Sequence, residues 1–195
     1  MFPFKDFDKC VVTNPYGKKG NYTSGKHDGI DIVCRGEDKT VYAVSSGICI
    51  RSGINKYWGE YVVVQMKNGK SLVYAHFAAK SRKVKIGQTI NVGMPLGTMG
   101  STGNSTGAHL HIELQSDYYK AGRTENIADF LDIKNEVGKV TWRDIKELQV
   151  KTNGKTVTVE AVNINGNNFV KLRDLEKLAN VTVDFDGKMP VVREK

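Results

Sequence analysis

"STGNSTGAHLHIEL", residues 101–114, passes from a glycine-rich polar stretch into an apolar strand that carries two histidines. Successive side chains of an extended chain point to opposite faces. His109 and His111 therefore share a face, and Glu113 follows on it. The chain has only four histidines, and this one strand holds two of them. Neutral imidazole is the commonest metal donor. An HxH pair alone is nonetheless more often two packed or surface histidines than a ligand pair. The preceding "GSTGNSTG" lacks the lysine and helix that complete a phosphate loop, so it reads as a tight turn presenting the strand.

Working outward, residues 28–114 are short β-rich runs broken by turn residues: "GIDIV", "TVYAVSSGICIRSG", "EYVVVQM", "SLVYAHF", "QTINVG", "MPLGTMG" and "HLHIEL". Turns such as "KNGK" at 67–70, and the absence of a helical period, predict a mainly β domain of antiparallel strands. "TENIADFLDI" at 124–133 predicts a short closing helix capped by Thr124. The first domain is thus placed at 1–133, with the polar segment around "KNEVGK" a linker over 134–140.

Residues 141–195 change texture. Alternating strands surround Asn153-Gly154, a second turn falls at Asn165-Gly166, and Val170, Leu172, Leu175 and Leu178 lie on a helical stripe. With a further hairpin in "VTVDFDGKMPVV" this makes a small α+β unit of ββαββ order.

A net charge of +8 favours anionic partners, wall polymers and nucleic acid included. With no basic-aromatic motif, nucleic acid is not expected. No apolar run approaches the roughly 20 residues of a membrane span. "MFPFKDFDKCVV" is interrupted by Lys5, Asp6, Asp8 and Lys9, so no signal peptide is expected and synthesis in the cytoplasm is. Cys10, Cys34 and Cys49 are odd in number and lack CxxC spacing. They read as buried free thiols; a disulfide is open to them but not demanded.

The other two histidines change the balance. His27 opens "HDGIDIV", where loop runs into strand, and Asp31 follows four residues later. That imidazole and carboxylate, with one imidazole from the HxH strand, supply three N/O donors. Zinc held by three protein ligands keeps a position open for water, as catalytic sites do. His76 in "YAHF" would converge from a neighbouring strand end.

"HDGIDI", "YAHF" and "GSTGNSTGAHLHIEL", in that order, resemble the lysostaphin-type (LytM-like) zinc endopeptidases of bacterial cell walls. The similarity runs over about residues 14–115 and takes in "VYAVSSGICIRSG", "NGKSLVYAHF" and "KIGQTINVGMPLGTMGSTG". It implies an antiparallel β-sheet or sandwich with a groove, a Zn²⁺ held by His27, Asp31 and His111, and catalytic imidazoles at His76 and His109. Which of those two is the base stays open. There is no HExxH glutamate, so proton transfer falls to the histidines. Tyr22 reads either as an oxyanion-stabilising phenol or as a groove wall; Glu113 as a histidine's partner or as a strand residue bonded elsewhere. Tyr57 and Trp58 read as a loop at the groove rim, and Met66, Met94 and Met99 as core filler.

The resemblance implies a hydrolase of bacterial peptidoglycan. The alternative is a non-catalytic wall-binding or hydrolase-activator module on the same fold; such members have lost metal ligands that this chain keeps. The lack of a leader points to a phage or prophage endolysin that reaches the wall through a membrane lesion. Residues 141–195 resemble the small stalk domain at the N-terminus of copper amine oxidases. That resemblance implies a wall-binding or self-association module, without copper.

Overall fold

A computed structural model describes residues 1–116 and 123–141, together with the backbone of five strands between 145 and 194. Its contacts divide the chain into two units, Met1–Thr141 and Trp142–Lys195.

The first unit is mainly β. After a 3-10 turn at Phe7–Lys9 come β1 (Cys10–Asn14), β2 (Ile30–Cys34), β3 (Thr40–Tyr42), β4 (Gly47–Asn55), β5 (Gly59–Gln65) and β6 (Ser71–Phe77). These are followed by β7 (Thr89–Ile90), β8 (Pro95–Thr98), β9 (Leu110–Gln115), β10 (Thr124–Glu125), α1 (Ile127–Leu131) and β11 (Gly138–Lys139). Nine strands form one sheet in the order β11-β1-β2-β9-β6-β5-β4-β7, with β10 also on β9; β3 and β8 form a small second sheet. Every one of these pairings is antiparallel.

Burial explains why β6 and β9 lie at the centre. All seven residues of "SLVYAHF" are buried, and five of the six in "LHIELQ" are, so both faces of these strands are covered. Leu72, Tyr74, Leu110 and Ile112 pack with Ile30 and Ile32 of β2 in a core closed to solvent. The Tyr74 hydroxyl accepts a hydrogen bond from the Val44 amide at 3.0 Å, and burial raises its phenol far above the ordinary value. Of the buried polar residues on these two strands, Ser71, His76, His111 and Glu113, the last three belong to the site described below.

Three sequence expectations need correction. Asn126, not Thr124, caps α1: its side chain accepts from the Ala128 amide at 3.2 Å, while Thr124 is in β10. Cys10 and Cys34 are not free thiols. They face each other on β1 and β2 and form a disulfide, leaving Cys49 buried and free. Antiparallel register, invisible in the spacing of the cysteines, brings them together. Residues 134–140 are not a linker either: β11 pairs with β1, Val140 is buried, and Asn135 bonds the backbone of Tyr16.

In the second unit β12 (Ile145–Thr152) pairs antiparallel with β13 (Lys155–Ile164), in a register that places Thr152 opposite Lys155. β13 pairs in turn with β14 (Asn167–Val170), and β15 (Val181–Phe185) with β16 (Pro190–Glu194). The expected helical stripe, beyond Val170 in β14, lies outside the described residues. No described helix is long and apolar enough to cross a membrane.

Candidate metal centre

Strand register sets up the centre. Asp31 on β2 and His111 on β9 are direct cross-strand partners, and Ala75 on β6 continues the row. Opposed residues share a face. Asp31 Oδ1 and His111 Nδ1 are 2.7 Å apart.

His27 enters from the loop before β2. Its Nε2 lies 3.1 Å from His111 Nδ1 and 3.2 Å from Asp31 Oδ1. Gly29 makes this approach feasible: a Cβ there would stand 2.5 Å from the Ile112 carbonyl oxygen and 2.7 Å from the His111 ring. The donor atoms of His27, Asp31 and His111 all lie within 4.8 Å of one another.

The outward hydrogen bonds show what these atoms can accept. His27 Nδ1 is 3.1 Å from the Pro15 carbonyl, which can only accept, so Nδ1 carries the hydrogen and Nε2 a lone pair. His111 Nε2 likewise donates to the Glu113 carboxylate at 2.9 Å, turning the Nδ1 lone pair inward in the neutral ring. With both rings neutral, two imidazole lone pairs and a carboxylate oxygen converge; without a cation, a proton on His111 Nδ1 shared with Asp31 fills the same place. Such a nest is satisfied by a cation, and its N/O donors suit zinc. The second carboxylate, Glu113, locks the ring of His111 as outer partners of metal-binding histidines do.

Charge agrees with this. Burial would raise the Asp31 carboxyl, yet the imidazoles of His111 and His27 hold it well below the usual carboxylate range. Burial would lower His111, but Asp31 and Glu113 carry it up to about 10. The environment of His111 is therefore built to hold positive charge. Glu113, with burial opposing, is kept below its ordinary value by His111, Gln115 and Trp58.

His76 and His109 complete the cluster. Their rings are 4.6 Å apart, and the His76 ring is 5.8 Å from that of His111. His109 Nδ1 donates to the Gly107 carbonyl at 2.8 Å, and its Nε2 lies 3.6 Å from Asp31 Oδ1. His76 Nδ1 donates to the Thr102 carbonyl at 2.8 Å. Burial pushes His76 down to about 4, which keeps it neutral at neutral pH.

The His76 backbone is in the left-handed region at φ 62°, beside an irregularity in the β5–β6 register between Glu60 and Val62. For a residue with a side chain that conformation costs about 1–3 kcal/mol. It is held by the His76 amide donating to Trp58 and its carbonyl accepting from Gly100.

The Tyr22 ring stands 5.2 Å from that of His27, and its hydroxyl accepts from Asn14 Nδ2 at 2.8 Å. The structure brings all six expected site residues into one cluster, places Glu113, open between two readings in the sequence, as the partner of His111, and adds Asn14, which carries no recognisable signal in the sequence. Of the two rim aromatics, Tyr57 is exposed, while the Trp58 side chain bonds Glu113.

Residues 25–124 match the profile of Peptidase family M23. The chain belongs to Peptidase family M23. Among curated relatives, Peptidoglycan DD-endopeptidase ShyC of Vibrio cholerae is 34% identical over 99 residues, which cover 50% of this chain and 22% of that protein. The chain thus spans about a fifth of the length of that relative. Among solved structures, the catalytic domain of lysostaphin from Staphylococcus simulans superposes with a TM-score of 0.56 at 26% identity, covering 62% of this chain and 90% of that one. The catalytic domain of the prophage-encoded M23 protein EnpA from Enterococcus faecalis, in its A109H mutant, gives a TM-score of 0.53 at 25% identity, covering 64% and 93%.

Proposed function

We propose that this M23 chain is a zinc-dependent endopeptidase that hydrolyses peptide bonds in the cross-links or stem peptides of bacterial peptidoglycan. The observation that carries this reading is the convergence of His27, Asp31 and His111 beside two further imidazoles. His27, Asp31 and His111 would hold the metal. Zinc bound there supplies Lewis-acid polarisation of the scissile carbonyl and acidifies water near neutral pH.

The chain's own residues do the rest. Glu113 holds His111 in the tautomer that turns Nδ1 inward. His76 and His109, each anchored through Nδ1 to a backbone carbonyl, keep Nε2 free to take a proton from the attacking water and return it to the leaving amine. Tyr22 donates a hydrogen bond to the oxygen that becomes negative in the tetrahedral intermediate.

The second unit, residues 142–195, serves attachment to the wall or self-association. The net charge of +8, a property of the whole chain and carried mostly by the first unit, favours an anionic polymer. Likeness to a prophage-encoded M23 domain supports an endolysin role at the wall. Digestion of purified walls of several chemotypes, with mass spectrometry of the released peptides, tests the reading and identifies the bond. Intact peptides in every digest would refute it.

A further inference from the structure

We infer that Asn14 is a positioning residue that fixes the direction in which the Tyr22 phenol donates its proton. The inference rests on the peptidase reading above and adds a residue to it.

The placement of Asn14 comes from a bulge. β1 and β2 pair Val11 with Val33 and Val12 with Ile32, but the next pair is Asn14 with Asp31. Regular register would have set Thr13 opposite Asp31. One extra residue in β1 re-aims the strand end, as bulges beside functional sites do. Asn14 Nδ2 then lies 3.2 Å from Asp31 Oδ2 and 2.8 Å from the Tyr22 hydroxyl.

The chemistry of the three groups settles the directions. A carboxylate only accepts, so the Asn14 atom facing Asp31 is the amide NH₂, and an amide NH₂ only donates. One N–H goes to Asp31 and the other to the phenol oxygen. Tyr22 is therefore the acceptor in that bond, and its own O–H must be spent elsewhere. Among the described residues no acceptor stands within hydrogen-bond reach of that proton, and Tyr22 is 37% exposed with its ring against His27. The proton is presented to the open side of the centre. An oriented donor of this kind is worth more than a freely rotating hydroxyl, because no reorganisation is needed as charge develops.

The same amide acts on Asp31. It occupies Oδ2, while the contacts to His27, His109 and His111 all fall on Oδ1. Asn14 thus also leaves Oδ1 as the carboxylate oxygen that would hold a metal beside the imidazoles.

The test compares Asn14→Ala, Asn14→Asp, Tyr22→Phe and the double variant Asn14→Ala/Tyr22→Phe. Cleavage of a soluble wall peptide is measured at saturating zinc, and zinc affinity separately by competition with a chromogenic chelator. Asn14→Asp keeps the size of the side chain but replaces the donor by an acceptor that captures the phenolic proton. Both Asn14 variants should lower kcat roughly 10–100-fold with KM nearly unchanged, and Asn14→Ala should weaken zinc binding about tenfold. The double variant should be no slower than Tyr22→Phe alone. Normal kcat in either Asn14 variant, a silent Tyr22→Phe, or losses that multiply in the double variant would each overturn the inference. A wild-type protein that binds zinc and cleaves no wall peptide would instead overturn the peptidase reading beneath it.

Discussion

Asp31 and His111 stand directly opposite each other on β2 and β9, with 2.7 Å between Oδ1 and Nδ1. One cross-strand pair in the middle of a sheet thus supplies two of the three donors of the centre. The rigidity of that pair comes from β6 and β9, whose burial on both faces leaves the site little freedom to relax. His27, on the loop before β2, is the third donor, buried and anchored by its ring to the Pro15 carbonyl and by its amide to Lys18.

His76 and His109 should be separable from metal binding. His76→Ala and His109→Ala are expected to keep zinc, seen by elemental analysis, while peptide cleavage falls roughly 10²–10⁴-fold. Either variant cleaving at a normal rate would remove that residue from the mechanism.

Glu113 reaches the centre through His111. Glu113→Gln keeps an acceptor for His111 Nε2–H but removes the second carboxylate that favours positive charge at that ring. Zinc affinity, read by chelator competition, should fall roughly 10–100-fold. An unchanged affinity would reduce Glu113 to a strand residue.

The cysteines give a count. Cys10 and Cys34 close a loop of sequence separation 24, which places the stabilisation in the typical range of about 2–4 kcal/mol. Thiol titration of the oxidised protein in denaturant should find one reactive group, Cys49, and reductant should lower the midpoint of unfolding. Three reactive thiols before reduction would contradict the pairing.

Truncation has a defined place. Cutting after Thr141 retains β11 and the buried Val140, so zinc and cleavage of a short soluble peptide should be unchanged while sedimentation with whole walls weakens. Cutting before Gly138 removes a strand partner of β1 and should lower thermal stability. Unchanged pelleting of the longer truncation would leave self-association as the role of residues 142–195.

Much of this was legible in the sequence because period-two alternation and glycine punctuation state the strands directly, and HxH in such a strand must place both rings on one face. His27 and Asp31 were legible as an imidazole and a carboxylate where a loop runs into a strand, and their grouping with His111 came from the resemblance carried by "HDGIDI". What was hidden depends on register. The bulge at Thr13 that aims Asn14, the facing of Cys10 and Cys34, and the docking of Gly138–Lys139 on β1 are properties of strand pairs, not of either strand. Thr124 misled because a capping residue type fits the start of a pattern, whereas Asn126, two residues on, makes the bond. The left-handed backbone of His76 was equally unreadable, since "YAHF" scans as a regular strand and only the β5–β6 irregularity turns the ring into the site.

The central claim is that a metal held by His27, Asp31 and His111 makes this chain a peptidase. It is tested most directly by following wall peptides by mass spectrometry with the protein as purified, after chelation, and after zinc is restored, alongside His111→Ala. New peptide termini should appear with the wild-type protein, vanish on chelation and return with zinc, and His111→Ala should release none while having lost its zinc. Cleavage that survives chelation, or a His111→Ala protein with full zinc and normal cleavage, would contradict the account.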